Sequence, residues 1–116
     1  MNKRRVDDLI PKAYDLCRTY EINIKYRNHI ASFGSAVTTG SLLAAVAFFS
    51  NQRKASLDRS KLMAVINEML KCHQNTLFDT VRMANNTSAL KEEIIDCAIA
   101  IKLALNLIPA EGGGNE

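Results

Sequence analysis

The chain has 116 residues, of which 47% are apolar and 23% are charged, with a formal net charge of +3. This length suits one domain with its own core, and the composition argues against a disordered chain. No stretch reaches the 18 apolar residues of a membrane span, and the first residues, MNKRRVDDL, lack the apolar region of a signal peptide. The three cysteines are widely spaced in apolar patterns, so we expect reduced, buried thiols and a cytoplasmic protein.

Charge is distributed unevenly along the chain. Residues 1–61 hold 11 basic and five acidic side chains, a net charge of +6, whereas residues 62–116 hold four basic and seven acidic ones, a net charge of −3. This asymmetry favours binding of a polyanion or head-to-tail stacking of copies of the protein. Solvated faces that differ by chance are the alternative explanation.

The N-terminal segment has the spacing of an amphipathic helix. Pro11 lies within this pattern, and a proline inside a helix costs about 3 kcal/mol. Either the helix starts near Asp8, which leaves Pro11 in the first turn, or it is kinked at Pro11. We favour the start near Asp8, with Asp7 or Asp8 as the N-cap. The apolar stripe consists of Val6, Leu9, Ile10, Ala13, Leu16, Cys17 and Tyr20.

Residues 32–49, SFGSAVTTGSLLAAVAFF, predict two short helices that meet at a tight corner. We expect Gly40 to end the first helix in a left-handed conformation and Ser41 to cap the second. The second helix, Leu42–Phe49, carries no charge on any face. We therefore expect it to be covered all round, at the centre of the domain. The stripe of the first of these helices is Tyr26, Ile30, Phe33 and Val37.

A polar, basic loop (NQRKAS) is predicted at residues 51–56, followed by a fourth helix with Ser56 as its cap and Asp58 in its first turn. A short fifth helix is expected after Asn75-Thr76. The final helix is the clearest of all, because it follows a turn-and-cap cluster at residues 85–88 and its apolar residues step by three and four until Pro109. Its apolar positions are Leu90, Ile94, Ala98, Ile101, Leu105 and Ile108.

These patterns predict an all-α fold, a compact bundle of about six helices around a buried central helix. No segment alternates as a strand would. We assign residues 1–110 to a single helical domain and residues 111–116, EGGGNE, to a flexible C-terminal tail.

Residues suited to catalysis are scarce. Cys72 and His73 are adjacent, so on a helix their side chains point about 100° apart, a poor arrangement for a shared ligand or a nucleophile–base pair. The sequence lacks zinc-binding spacings and a phosphate-binding glycine loop, and its acids suit caps or the surface. We expect no enzyme activity, no metal and no cofactor.

Binding is the remaining possibility. Basic residues cluster at Lys3-Arg4-Arg5 and at six positions that we predict to contact nucleic acid, although a solvated charged face explains them equally well from composition alone. The last four flank a predicted helix start, where backbone N–H groups can also approach phosphate. The aromatic residues lie mainly on apolar stripes, so we expect backbone contacts without a stacking platform. The six positions are Lys25, Arg27, Arg53, Lys54, Arg59 and Lys61.

Residues 4 to about 71 resemble the small all-helical subunit of type III-B CRISPR effector complexes, the Cmr small subunit. The family pattern of a tyrosine, a small-residue corner around a phenylalanine, a second small turn and an apolar run ending in aromatics is matched here. The corresponding residues are Tyr26, Ser32-Phe33-Gly34-Ser35, Gly40-Ser41 and Ala47-Phe48-Phe49. The segments RRVDDLIPKAYDL and ASLDRSKLMAVINEMLK are similar to its first and next helices. The order Gly40-Ser41 is reversed relative to the family.

The resemblance implies a non-catalytic role in antiviral defence. Small subunits of this family stack as a short filament beside the backbone and large subunits and help enclose guide and target RNA, while base pairing reads the sequence. The partners it implies are those subunits, further copies of the chain and RNA, without a membrane. A helical adaptor that contacts only protein is the second interpretation, and the small subunit of the related type III-A complex is a further possibility.

Overall fold

The computed structural model describes residues 1–51 and 57–110, which form six α-helices and contain no strand. A short 3-10 turn, Ile24–Tyr26, precedes the second helix. The predicted all-α bundle of about six helices is therefore confirmed. Within these ranges, every helix is too short or too polar to cross a bilayer. The helices are α1 Lys3–Thr19, α2 Arg27–Thr39, α3 Leu42–Phe49, α4 Ser60–Met69, α5 Leu77–Arg82 and α6 Thr87–Leu105.

Two predicted segments fall on residues that the structure does not describe. One comprises most of the basic loop at 51–56, including Arg53, Lys54 and the expected cap Ser56, and the other is the tail at 111–116. The predicted loop, its two basic residues and the flexible tail therefore stay predictions.

The central helix of the bundle is α6. It packs against α1, α2 and α4, and a backbone hydrogen bond of 2.9 Å from the Ile24 N–H to the Ile108 carbonyl oxygen joins its far end to the turn before α2. The last helix was the clearest in the sequence because its apolar residues have the regular spacing of a buried face. Its buried residues are Ile94, Asp96, Cys97, Ala98, Ala100, Ile101, Ala104 and Leu105.

Helix α3 is buried on one side only. It packs against α2, α4 and α5 through Leu42, Ala45, Val46 and Phe49, while Leu43, Ala44, Ala47 and Phe48 are exposed. The expectation that this helix is the covered, central one is therefore wrong. Its uniformly apolar sequence carries no information about which face turns inward, because amphipathic periodicity is the signal for that choice.

Helix α1 begins earlier than predicted. The side chain of Asn2 caps it by accepting a hydrogen bond from the Arg5 N–H at 3.0 Å, so neither Asp7 nor Asp8 is the cap, and Pro11 lies in the helix interior. Because proline has no N–H, the carbonyl oxygen of Asp7 loses its usual donor within the helix. Pro11 and Asp7 are both exposed. Helix α1 packs against α6 and α4, and it has buried residues on both sides of the proline, Val6 before it and Ala13 after it.

The corner between α2 and α3 has a different geometry from the one expected. Ser41 caps α3 as predicted, since its Oγ accepts a hydrogen bond from the Ala44 N–H at 3.2 Å. Gly40, however, is extended, with φ −137°, so the prediction of a left-handed cap is wrong. A Cβ at Gly40 would lie 3.2 Å from the Ala36 carbonyl oxygen, so this close backbone approach is what favours glycine.

The start of α4 also differs from the prediction. The helix begins at Ser60 with Arg59 at the N-cap position, so the prediction of Ser56 as the cap is wrong, and Asp58 precedes the helix instead of lying in its first turn. Asp58 Oδ1 accepts hydrogen bonds from the Ser60 N–H at 3.0 Å and from the Ser60 hydroxyl at 2.6 Å. The predicted starts of α5 and α6 are confirmed, with Thr76 and Asn86 as caps.

A buried carboxylate links the N-terminus to the central helix. Asp96 is 1% exposed, and its Oδ2 accepts a hydrogen bond of 2.8 Å from Arg5 Nε while its Oδ1 accepts one of 3.3 Å from the Asn2 N–H. This hydrogen bond raises the pKa of Arg5. The expectation that all acids are capping or surface residues is wrong for Asp96, since its partners are more than 90 residues away in sequence.

Removal of the Arg5 side chain is expected to destabilise the protein. The variant Arg5→Ala leaves the Asp96 carboxylate buried without its main partner, and we expect the free energy of unfolding to fall by about 2 kcal/mol, because Arg5 is itself partly exposed. Urea denaturation measures the loss. Arg4→Ala is the matched control, since Arg4 is an exposed neighbour, and it should change stability by less than about 0.5 kcal/mol. Equal losses in both variants would contradict this role of Arg5.

The cysteines divide into two buried thiols and one exposed thiol. Cys17 and Cys97 are buried, as predicted, and burial raises the pKa of each to about 12. Cys72 is exposed, which corrects the expectation for all three. It lies three residues after the end of α4, in the connection to α5.

A chromogenic disulfide reagent at about pH 8 should therefore react quickly with Cys72 alone. The reactive species is the thiolate, and the other two thiols are both inaccessible and protonated. Absorbance should report one thiol per native chain and three after addition of denaturant. The variant Cys72→Ser should show no fast reaction in the native state; a fast reaction in that variant would contradict the burial of the other two.

Candidate nucleic-acid interface

Lys25 and Arg27 lie at the start of α2. Lys25 belongs to the 3-10 turn and its N–H donates to Asn23 Oδ1 at 2.9 Å, while Arg27 is the first residue of the helix. Both side chains are exposed. The hydrogen bond between Ile24 and Ile108 fixes this turn beside the C-terminal end of α6.

Arg59 and Lys61 lie at the start of α4, on a different part of the surface. The guanidinium carbon of Arg59 is 4.8 Å from the ring centroid of Phe48 and 4.9 Å from that of Phe49. These distances are typical of cation–π contacts. Arg59 and Lys61 are both partly exposed. Arg53 and Lys54, the remaining two candidates, lie outside the described residues.

The structure therefore places the four described candidates as two pairs. The Phe49 ring, which Arg59 contacts, meets the Phe33 ring of α2 edge to face, with centroids 5.4 Å apart. Arg27 is six residues before Phe33, about 9 Å away along the helix axis. The two pairs contact different elements, since one lies beside the end of α6 and the other beside the end of α3.

The N-terminus of α4 does not offer its first N–H groups to a phosphate. The Ser60 N–H donates to the Asp58 carboxylate, the Lys61 N–H to the Asp58 carbonyl at 3.2 Å, and the Leu62 N–H to the Arg59 carbonyl at 3.0 Å. The expected backbone contribution to phosphate binding is thus wrong for these groups. Among the described residues at this helix start, the groups suited to anion binding are the side chains of Arg59 and Lys61.

Phe48 is the most exposed aromatic residue in the described part of the chain, at 62%. Its ring meets that of Phe49 edge to face, with centroids 5.4 Å apart. The sequence predicted aromatic residues mainly on apolar stripes and no stacking platform; Phe48 departs from that pattern because its ring is exposed. Sequence reasoning missed Phe48 because both phenylalanines belong to a helix that is apolar on every face.

The exposed side of α3 is wholly apolar. Leu43, Ala44 and Ala47 accompany Phe48 there. Phe78 of the neighbouring helix α5 and Met83, directly after that helix, are exposed too. Apolar residues grouped at the surface are typical of interaction sites. This face ends at Arg59, so an apolar surface and a cation adjoin each other.

A polar cavity of about 390 Å³ lies between α1, α4 and the connection after α4. The Tyr20 hydroxyl donates a hydrogen bond to the Glu68 carboxylate, which raises the pKa of Tyr20. His73 Nδ1 lies 2.9 Å from the Leu70 carbonyl oxygen, and it carries the proton in that hydrogen bond because a carbonyl only accepts. Residues 1–51 and 57–110 contain no group of three or more potential metal ligands.

Comparisons with known proteins return no match. No protein-family model, no curated protein and no solved structure is similar to this chain. The fold and surface define a small all-helical domain with an exposed aromatic–arginine pair.

Proposed function

We propose that this chain is a non-catalytic small subunit of a type III-B CRISPR RNA-guided effector complex. In this role copies of it stack as a short cytoplasmic filament beside the backbone and large subunits. A basic face helps to bind the duplex of guide and target RNA in antiviral defence. The observation that carries the proposal is the position of Arg59, which is held at the surface between two phenylalanine rings with Lys61 close by in the sequence.

Arginine in this setting is suited to RNA phosphate. When a guanidinium lies over an aromatic ring, its N–H donors still point outward from the edge of the guanidinium plane. The ring also restricts the motion of the arginine side chain, so less side-chain entropy is lost when phosphate binds. The excess positive charge of residues 1–61 adds a favourable long-range field for a polyanion. Helix α3 has no acidic residue that would oppose it.

A helical adaptor that contacts only protein is the second candidate function. The apolar side of α3 supports it, because Leu43, Ala44 and Ala47 offer no group that pairs with phosphate or with a base edge. Protein interfaces are enriched in such apolar patches with arginine nearby.

Binding to a guide–target RNA duplex at two salt concentrations tests the proposal. Four phosphate contacts predict that affinity falls about 100-fold between about 50 and 200 mM salt, because each contact releases a counterion. The variant with Arg53, Lys54, Arg59 and Lys61 changed to alanine should lose this salt-dependent binding. Fluorescence anisotropy of labelled RNA measures both.

A matched variant controls for net charge. Changing Lys71, Arg82, Lys91 and Lys102 to alanine removes the same charge from the acidic half of the chain. This control should retain most of the wild-type affinity. Equal losses in both variants would refute the proposed surface, and absence of RNA binding together with assembly into the complex would favour the adaptor.

A further inference from the structure

We propose that Phe48 and Arg59 form a stacking site for an unpaired RNA base, without preference for its sequence. The inference rests on the proposed RNA-binding function and specifies which part of the RNA meets this surface. A base in a duplex is already stacked on both sides, so a new aromatic partner requires a base that is unpaired.

The Phe48 ring is held in place while its surface stays available. It is 62% exposed, and it packs edge to face on Phe49 at an interplanar angle of 73°. Phe49 in turn packs edge to face on Phe33, which is fully buried. Three rings thus connect the surface to the core, and a ring restrained in this way loses little freedom when a base stacks on it.

Arg59 completes the site. Its guanidinium lies within 5 Å of the centroids of both Phe48 and Phe49, so it occupies one side of the exposed ring and leaves the rest of the ring to the ligand. Guanidinium planes and aromatic rings are the two kinds of surface on which proteins stack unpaired bases. The charge of Arg59, with that of Lys61 two residues later, also attracts the adjoining phosphates.

The composition of α3 explains why this helix does not select a base. Helix α3 has the sequence LLAAVAFF, so no side chain of that helix donates or accepts a hydrogen bond at a base edge. Every base has a π face, and stacking alone therefore tolerates any sequence. The guanidinium beside the ring favours RNA over an apolar protein segment as its occupant.

The test uses single-stranded RNA with one 2-aminopurine, a fluorescent base whose emission falls when it stacks. The wild-type protein should quench this emission. The emission of the same base in the paired stem of an RNA hairpin should not change when the protein is added. Phe48→Ala should weaken binding of the single strand about tenfold and abolish the quenching. Phe48→Trp should restore both, and Phe48→Leu, which is apolar but has no π face, should restore neither.

Phe78→Ala is the matched control, since Phe78 is the other exposed phenylalanine of the described chain. It should bind and quench like the wild type, and circular dichroism should show that all variants are folded. If the wild type binds no RNA, both this inference and the proposed function fail.

If the wild type binds RNA but Phe48→Ala quenches equally, only the stacking site is refuted. A second result would also refute the stacking site. In it, Phe48→Ala impairs assembly with the other subunits but leaves quenching unchanged, and Phe48→Leu assembles normally. That result would assign the ring to an apolar protein interface.

Discussion

Burial of α6 is the constraint on which the rest of the structure depends. Side chains such as Ile94, Ile101 and Leu105 are fully buried, and each contributes about 1.5–3 kcal/mol when it is removed from water. Helices α1, α2 and α4 supply the cover. The ion pair between Arg5 and Asp96 then fixes α1 against α6, because a buried carboxylate requires a specific partner whereas apolar contacts tolerate small displacements.

Helix α3 contributes both to the core and to the candidate binding surface. Its buried side joins α2, α4 and α5, and its other side leaves apolar groups and Phe48 in water. Exposing these apolar groups to water costs free energy, and the close packing of the buried side of α3 in the core offsets that cost. Apolar groups exposed in this way are typical of interaction sites, so α3 and the start of α4 form the candidate site of the domain.

The two candidate functions differ in what covers that surface. RNA uses the π face of Phe48 and the charge of Arg59, whereas a protein partner uses the apolar width provided by Leu43 and Ala47. Arg59 serves either partner, since guanidinium groups bind phosphate and carboxylate alike. The aromatic character of Phe48 therefore distinguishes an RNA partner from a protein partner, because it matters for stacking and much less for apolar contact.

Local signals in the sequence were sufficient for the all-α class, for α5 and α6, and for the caps at Ser41 and in the turn before α6. Caps and helical periodicity act over three or four residues, so they can be read without the fold. Only the tertiary structure decided which side of α3 faces water, why α1 extends through Pro11, and that Asp96 is buried. The outward face of a uniformly apolar helix and the partners of a buried carboxylate depend on chain segments distant in sequence, and no local pattern encodes those contacts.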